Sequence, residues 1–387
     1  LKDGSSGSTG ENEDDLELRV SRNLSEDWLK CPQPLSKGRL FDRMALGGQI
    51  VVSEDLWTDD RVLIMDRVRG EGLRSTIQAG LVFKNRPLGI IRLYSRGPGA
   101  FDEADLRLLG SMAQQAAAAI EQARLLQFER QEQRVQRQLQ LARDVQRRML
   151  PKSVPSVRGL DVAARYIPSF ELGGDFYDFV DLSGHVGVFV GDVVGKGIAA
   201  ALLMSAVRAS LLAHVQGLYN LDDVIVKVNQ ALCRDTLDNE FASLWYGVID
   251  VEQMRMTYCS AGHEPTLVIR VPRHRRPTPA DVDELGVGGM VVGIDPSQRY
   301  QRAVYDLHPN DCVVAYTDGV PDTLNFEGQR FGKKRLRDAL LRFLGEEPNA
   351  TAAQVVERIL WELRQFAGLS TRPDDTTIVA MRIGGRG

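Results

Sequence analysis

The chain has 387 residues, 43% hydrophobic and 26% charged, with a net charge of −4. That is globular composition with length for two or three domains, and it excludes a collagen-like, disulfide-stapled or wholly disordered chain. The near-neutral balance gives no general attraction to nucleic acid or to an anionic membrane. Cys31, Cys233, Cys259 and Cys312 are scattered without CxxC spacing, which points to a reducing cytoplasm. The longest mostly apolar stretch, residues 198–207, is about half the ~20 residues needed to span a bilayer. Because the sequence starts at Leu1 rather than Met, a signal or membrane segment upstream stays open.

In chain order, residues 1–15 are Gly-, Ser- and acid-rich and read as a turn or mobile loop. Strands are expected at 16–20, 49–52, 75–83 and 88–95, with a hairpin turn at Asn85-Arg86-Pro87. At Phe101 the pattern becomes Ala-, Leu- and Gln-rich, and Asp102 is well placed as the N-cap of a helix. No Gly or Pro interrupts this helix between Gly110 and Pro151. Its later part carries a seam at 3- and 4-residue spacing: Leu125, Phe128, Glu132, Val135, Leu139, Ala142, Gln146 and Met149, with polar breaks at Glu132 and Gln146. The narrow seam and polar flanks favour a parallel coiled coil joining two protomers; the alternative is a solvated helix packing one stripe on its own domain. Pro151 and Pro155 end it.

From Leu160 the pattern is that of a separate domain. Strands are expected at 162–167, 176–182, 186–193, 243–250, 254–260, 266–271, 301–307, 312–316 and 377–383, and helices at 198–215, 221–237, 334–343 and 352–366. Strands in runs with short connections, and helices paired between them, predict helices layered outside antiparallel sheets, an α+β arrangement.

Four motifs place an Asp at a strand end or in a Gly turn: GGDFYD (173–178), GDVVGKG (191–197), TDGV (317–320) and PDDTT (373–377). One Asp beside Gly is usually turn chemistry, but apolar strands lead into or out of all four. Strand ends of one sheet can bring four carboxylates to one rim, and their repulsion there implies cations. None of the four motifs holds His or Cys, so hard oxygen ligation by magnesium or manganese fits best. Four carboxylates balance two divalent ions, a pair suited to in-line displacement at phosphate. GDVVGKG is not a P-loop, because three residues rather than four separate the glycines and Gly197 follows Lys196. Its glycines instead let the chain turn off a strand into the helix, exposing a carbonyl beside Asp192.

The ordered set GGDFYD, DVVGKGIAAALLMS, EFASLWYGVID, SAGHEP, AYTDGVPD and RPDDTT resembles the SpoIIE/RsbU-like bacterial PPM (type 2C-like) serine/threonine phosphatases, over essentially all of 160–383. LQLARDVQRRMLP looks like the linker that precedes the catalytic domain in that family. The segment from PLGIIRLYS to AIEQARL is similar to the last strand and C-terminal helix of GAF sensor domains, without their usual first helix. The resemblance implies a GAF-like α/β domain over 1–123, a coiled-coil-like helical linker over 124–150, and a PPM-type α-β-β-α sandwich over 151–387. It implies that Asp175 and Asp192 hold two Mn2+ or Mg2+ ions, with the Val193 backbone carbonyl as an extra ligand. Asp318 and Asp374 complete the second ion's shell, while Asp178 and Asp375 stand behind the ligands, orienting one of them or a water.

The implied reaction is hydrolysis of phosphoserine or phosphothreonine by metal-activated water, without a covalent enzyme intermediate. By the same resemblance the substrate is a phosphorylated STAS-type anti-sigma-factor antagonist, and the GAF domain and a homodimer formed through the 124–150 helix regulate the enzyme. The expected setting is cytoplasmic, with no nucleic acid and no membrane contact in the part present. The chain departs from the family in two places. Val193 and Val194 follow Asp192 where some type 2C enzymes carry a His general acid, and Pro321-Asp322 replaces Thr-Glu after DGV. His263 is expected to lock a loop, Phe176 and Tyr177 to pack, and Arg273-His274-Arg275-Arg276 to form a solvated loop. The alternatives are a catalytically silent PPM-fold binding module and a phosphatase for a non-protein phosphate ester.

Overall fold

The computed structural model describes residues 15–30, 35–36, 40–217, 220–237, 239–370 and 372–384. Residues 1–14 and Cys31 of the sequence reading lie outside them. Contacts divide the chain into two units, Leu1–Arg134 and Val135–Gly387, so the boundary falls inside the expected linker.

In the first unit β1 (Asp15–Leu16) pairs with β2 (Leu35–Ser36), and α1 (Glu26–Lys30) lies between them in sequence. Then come α2 (Leu40–Leu46), β3 (Ile50–Ser53), α3 (Met65–Glu71), β4 (Ser75–Phe83) and β5 (Arg86–Ser95). Strands β3, β4 and β5 form one antiparallel sheet in that order. The β4–β5 turn sits at Lys84-Asn85, with φ of 47° and 65°, one residue earlier than expected. Positive φ at both positions gives the twist that a two-residue hairpin needs. Pro87 therefore lies within β5, which as an edge strand tolerates its missing N–H. The three short helices were not expected, because five to seven residues are too few to show a helical period.

Helix α4 (Glu103–Met149) runs unbroken for 47 residues. Asp102 caps it as expected, its Oδ1 accepting from the N–H groups of Ala104 and Asp105 at 2.8 and 2.9 Å. Leu109, Ala113 and Ala117 pack against Ile77, Ala79 and Leu81 of β4; the small alanines let the helix approach the sheet. Farther along, Leu125, Phe128 and Val135 of the seam are exposed in the single chain. Gln146 behaves differently. The sequence marks it as a polar break, yet it is buried at 6% exposure.

The second unit is built from β6 (Leu160–Ile167), β7 (Phe176–Asp181), β8 (Val186–Val193), α5 (Gly197–Val215), α6 (Leu221–Asp235), β9 (Ala242–Asp250), β10 (Arg255–Ala261), β11 (Thr266–Ile269), β12 (Val282–Leu285), β13 (Gly288–Gly289), β14 (Ala303–Asp306), β15 (Cys312–Tyr316), α7 (Gly332–Glu346), α8 (Ala352–Ala367) and β16 (Thr376–Ile383). One sheet has the order β13-β10-β9-β8-β7, with β14 also on β10; the other has the order β12-β11-β15-β16-β6. All pairings are antiparallel except β10 with β13. The expected strands and helices all form, and the added β12 and β13 lie at sheet edges.

Three apolar layers hold this unit together. Val188, Val190 and Trp245 of one sheet meet Val313, Val379 and Met381 of the other in the centre. Helices α5 and α6 cover the outside of the first sheet through Met204, Val207, Leu211 and Ile225 against Phe189 and Tyr246. Helices α7 and α8 cover the second through Leu340, Val355 and Ile359 against Val314 and Ile378. Period-2 alternation sends each strand's two faces into different layers, so β8 and β16 are buried at nearly every residue. Helix α5, at 19 residues, extends beyond the 198–207 run and is long and apolar enough to cross a membrane. Here its buried stripe packs on α6 and β8.

Candidate metal centre

The four motif aspartates come from both sheets to one rim of the sandwich. Asp175 immediately precedes β7 and Asp192 lies near the end of β8, in the first sheet. Asp318 follows β15, and Asp374 and Asp375 precede β16, in the second. Asp192, Asp318 and Asp374 line one cleft of about 350 Å³ together with Val193, Lys196 and His263.

Asp175 is the most enclosed of them, at 1% exposure. Its Oδ2 accepts from the Thr317 hydroxyl at 2.6 Å and the Thr377 hydroxyl at 2.7 Å. Thr377 N–H donates in turn to Thr317 Oγ1 at 2.9 Å. One carboxylate oxygen is thus fixed by hydroxyls from two strands of the opposite sheet. Burial, and next the Asp192 charge, hold the Asp175 carboxyl well above the usual carboxylate range. Burial and then the charges of Asp318 and Asp374 push Asp192 up to about 7. Asp318 is pushed up to about 6, by burial first and Asp374 next. These are carboxylates that repel one another in a water-poor cleft, the electrostatic condition that a bound cation relieves.

Close approach of two glycines shapes the loop that carries Asp175. A Cβ on Gly174 would lie 2.5 Å from the Val193 carbonyl oxygen, and one on Gly173 would lie 1.8 Å from Asp375 Oδ2. Any side chain at 174 would cover that carbonyl. Gly195 and Gly197 adopt φ of 93° and 74°, turning the chain from β8 into α5 as expected.

The remaining aspartates separate by role. Asp375 receives Gly174 N–H at 2.9 Å, Ser169 N–H at 2.7 Å and the Ser169 hydroxyl at 3.0 Å, so it ties the 169–174 loop to β16 behind the cleft. Asp178 faces away toward α5, where it pairs with Arg208 at 2.6 Å and accepts Phe179 N–H at 2.8 Å. Asp374 accepts its neighbour's N–H at 2.9 Å and lies 3.2 Å from Lys196 Nζ. Lys196 also donates to the Pro373 carbonyl. Among the described residues no three His, Cys, Asp or Glu side chains are gathered closely enough to hold an ion by themselves. The four aspartates expected at one rim all lie at that rim. They surround a shared cleft, with Asp175 held back by its two threonines and Asp374 drawn toward Lys196. The donor set still fits magnesium or manganese, being all oxygen and over-supplied with negative charge.

His263 is buried, with Nδ1 2.7 Å from the Ser243 hydroxyl, and burial lowers its pKa to about 4. Ser243 stands opposite Asp192 in the β8–β9 ladder. A neutral imidazole fixing this corner matches the expected locking role. Phe176 is fully buried and Tyr177 packs edge-on to Phe179, while Arg275 pairs with Asp281 at 2.6 Å on the surface.

Sequence reading missed Thr317, Thr377 and Gln146. The threonines adjoin the Asp motifs, and that adjacency was the available signal. Gln146 gave none: its amide nitrogen donates to the Gly173 carbonyl at 2.7 Å and its oxygen accepts Gly173 N–H at 3.3 Å. The end of α4 thereby grips the loop that carries Asp175.

The family model of Stage II sporulation protein E (SpoIIE) matches residues 183–384, and that of the GAF domain matches residues 4–121. Phosphoserine phosphatase RsbU of Bacillus subtilis (strain 168) is 26% identical over 251 residues, covering 65% of this chain and 72% of that protein. Protein IcfG of Synechocystis is 27% identical over 274 residues, covering 63% of this chain and 41% of that protein, so the match spans less than half of that relative. Among solved structures, the SiaA-PP2C domain of Pseudomonas aeruginosa superposes with a TM-score of 0.56 at 21% identity, covering 65% of this chain and 98% of that domain. At that identity the likeness is one of fold.

Proposed function

The chain belongs to the SpoIIE family, with a GAF domain preceding a PPM-type phosphatase domain, and we propose that it hydrolyses phosphoserine or phosphothreonine on a regulatory protein with the help of two Mn2+ or Mg2+ ions. The observation that carries the reading is the cleft at the sandwich rim lined by Asp192, Asp318 and Asp374, where burial and then neighbouring carboxylate charge raise the proton affinity of Asp192 and Asp318. In this proposal Asp175, Asp192, Asp318, Asp374 and the Val193 carbonyl hold the ions. When bound, such ions supply the Lewis acidity that makes water a nucleophile near neutral pH and offset charge on the phosphate.

The chain's own residues prepare the place for that chemistry. Thr317 and Thr377 fix one oxygen of Asp175. Asp375 and Gln146 hold the intervening loop from opposite ends. Lys196, directed into the cleft by the Pro373 carbonyl and Asp374, offers a cation for a phosphate oxygen. His263, neutral near pH 7, has no cationic proton to give a leaving alkoxide. By the family resemblance the substrate is a phosphorylated STAS-like protein of a sigma-factor pathway, and pairing of two chains through the 124–150 helix regulates access or activity.

Turnover of an aryl phosphate by the full chain with manganese tests the reading. Asp192→Asn should reduce kcat at least ~1000-fold, in the range seen when a group acting on the reacting centre is lost. A variant as active as the parent would remove Asp192 from the reaction.

A further inference from the structure

A second cleft of about 440 Å³ lies beside the carboxylate centre, between Pro168-Ser169 and the C-terminal end of α8. It adjoins the centre through Ser169, which donates twice to Asp375, and through Arg372, two residues before Asp374. Two of its lining residues are arginines, Arg364 and Arg372. Neither has a carboxylate within ion-pair distance among the described residues, whereas Arg342 and Arg358, on the helices nearby, both pair with Glu362. Arg364 stands in the last turn of α8, where the helix dipole favours a cation. Arg372 has no such support. It is half-buried. Apolar groups border the pair. Leu369 in the lining is 92% exposed, and Phe326, whose ring lies against Gly368, is 72% exposed.

Two neighbouring guanidinium groups that lack a partner, beside an acidic centre and bordered by exposed apolar side chains, call for an anionic ligand with apolar neighbours. We propose that this cleft is a substrate-docking subsite in which Arg364 and Arg372 receive acidic side chains next to the phosphoresidue of the protein substrate, with Leu369 and Phe326 covering an adjacent apolar residue. The inference rests on the phosphatase reading and adds to it a preference for acidic flanking sequence. The subsite binds and positions; it takes no part in bond cleavage.

The test uses the full chain with manganese and two fluorescein-labelled phosphoserine peptides, identical except that three flanking Glu in one are Gln in the other. The parent should favour the Glu peptide in kcat/KM by about tenfold at low salt, falling as salt rises. Arg364→Glu and Arg372→Glu should each abolish or invert that ratio, and the milder Arg372→Gln, whose folding is checked by its melting curve, should reduce it. Equal ratios in all chains would overturn the subsite. If neither peptide nor aryl phosphate is turned over, the phosphatase reading fails, and anisotropy of the same peptides decides the subsite alone: a Glu preference lost in Arg372→Gln supports it, and equal binding overturns it. Displacement of the labelled peptide by inorganic phosphate, but not by the unphosphorylated Glu peptide, would make the cleft a phosphate site and overturn the carboxylate assignment.

Discussion

Replacing Gln146 asks whether the end of the long helix acts on the metal centre or merely docks on the domain. The side-chain amide makes two bonds to the Gly173 backbone, at 2.7 and 3.3 Å, in a buried setting. Gln146→Leu keeps the helical propensity and the bulk but leaves a buried N–H and a buried C=O without partners. Each costs ~1–3 kcal/mol, and the longer bond belongs at the low end, so the sum is about 2–4 kcal/mol. Gly173 is two residues from Asp175, and Gly174, lacking a side chain, leaves the Val193 carbonyl uncovered. If the loop bears the cost, manganese affinity should fall roughly 30- to 700-fold, since each 1.4 kcal/mol is tenfold. Titration calorimetry of manganese into the full chain and the variant, beside their melting curves without metal, separates the two accounts. A melting temperature that drops while manganese affinity stays unchanged would refute the reasoning, because the clamp would then stabilise the helix and not the centre.

Thr317→Val and Thr377→Val each remove a hydroxyl from Asp175, a bond to a charged group worth ~1.5–3 kcal/mol; manganese affinity should fall about tenfold or more in each. Because both hydroxyls share one oxygen and Thr377 N–H also bonds Thr317 Oγ1, the double variant should be non-additive, and additive calorimetric values would count against the shared anchor. Without metal, folded Asp192 and Asp318 titrate near 7 and 6, above the unfolded value of about 4. The folded state therefore keeps protons longer, so its stability is fullest below about pH 4 and is lost as pH rises through 6 to 7. Melting temperature should fall from pH 5 to 8, Asp192→Asn should flatten the fall, and manganese should raise it most at pH 8; a flat metal-free profile would contradict this. Val135→Glu places a charge on the exposed seam of α4 and should convert a dimer to a monomer in light scattering, whereas an unchanged mass would remove that seam from assembly.

The order of elements was legible because it is local. The near-continuous apolar runs of β8 and β16 and the helical period of α6 and α8 each show themselves within a dozen residues. The aspartates of the centre were legible too, as repeated Asp-Gly or Asp-Asp turns at strand ends. The break at Gln146 misled: a polar residue in an apolar seam looks the same whether it faces water, a partner helix or a backbone amide.

Sequence by itself determined which oxygens gather at the rim, since strand order and the turn residues beside each Asp are written locally. Tertiary structure decided what each oxygen does. Thr317 and Thr377 lie 142 and 202 residues from Asp175, and Gln146 reaches Gly173 across 27. Contacts of that range follow from how two sheets and a helix end stack, and no residue period records them. The same stacking brings Arg364 and Arg372 to one cleft with no acid in ion-pair distance among the described residues, a pairing that their separation in α8 and the following loop does not announce.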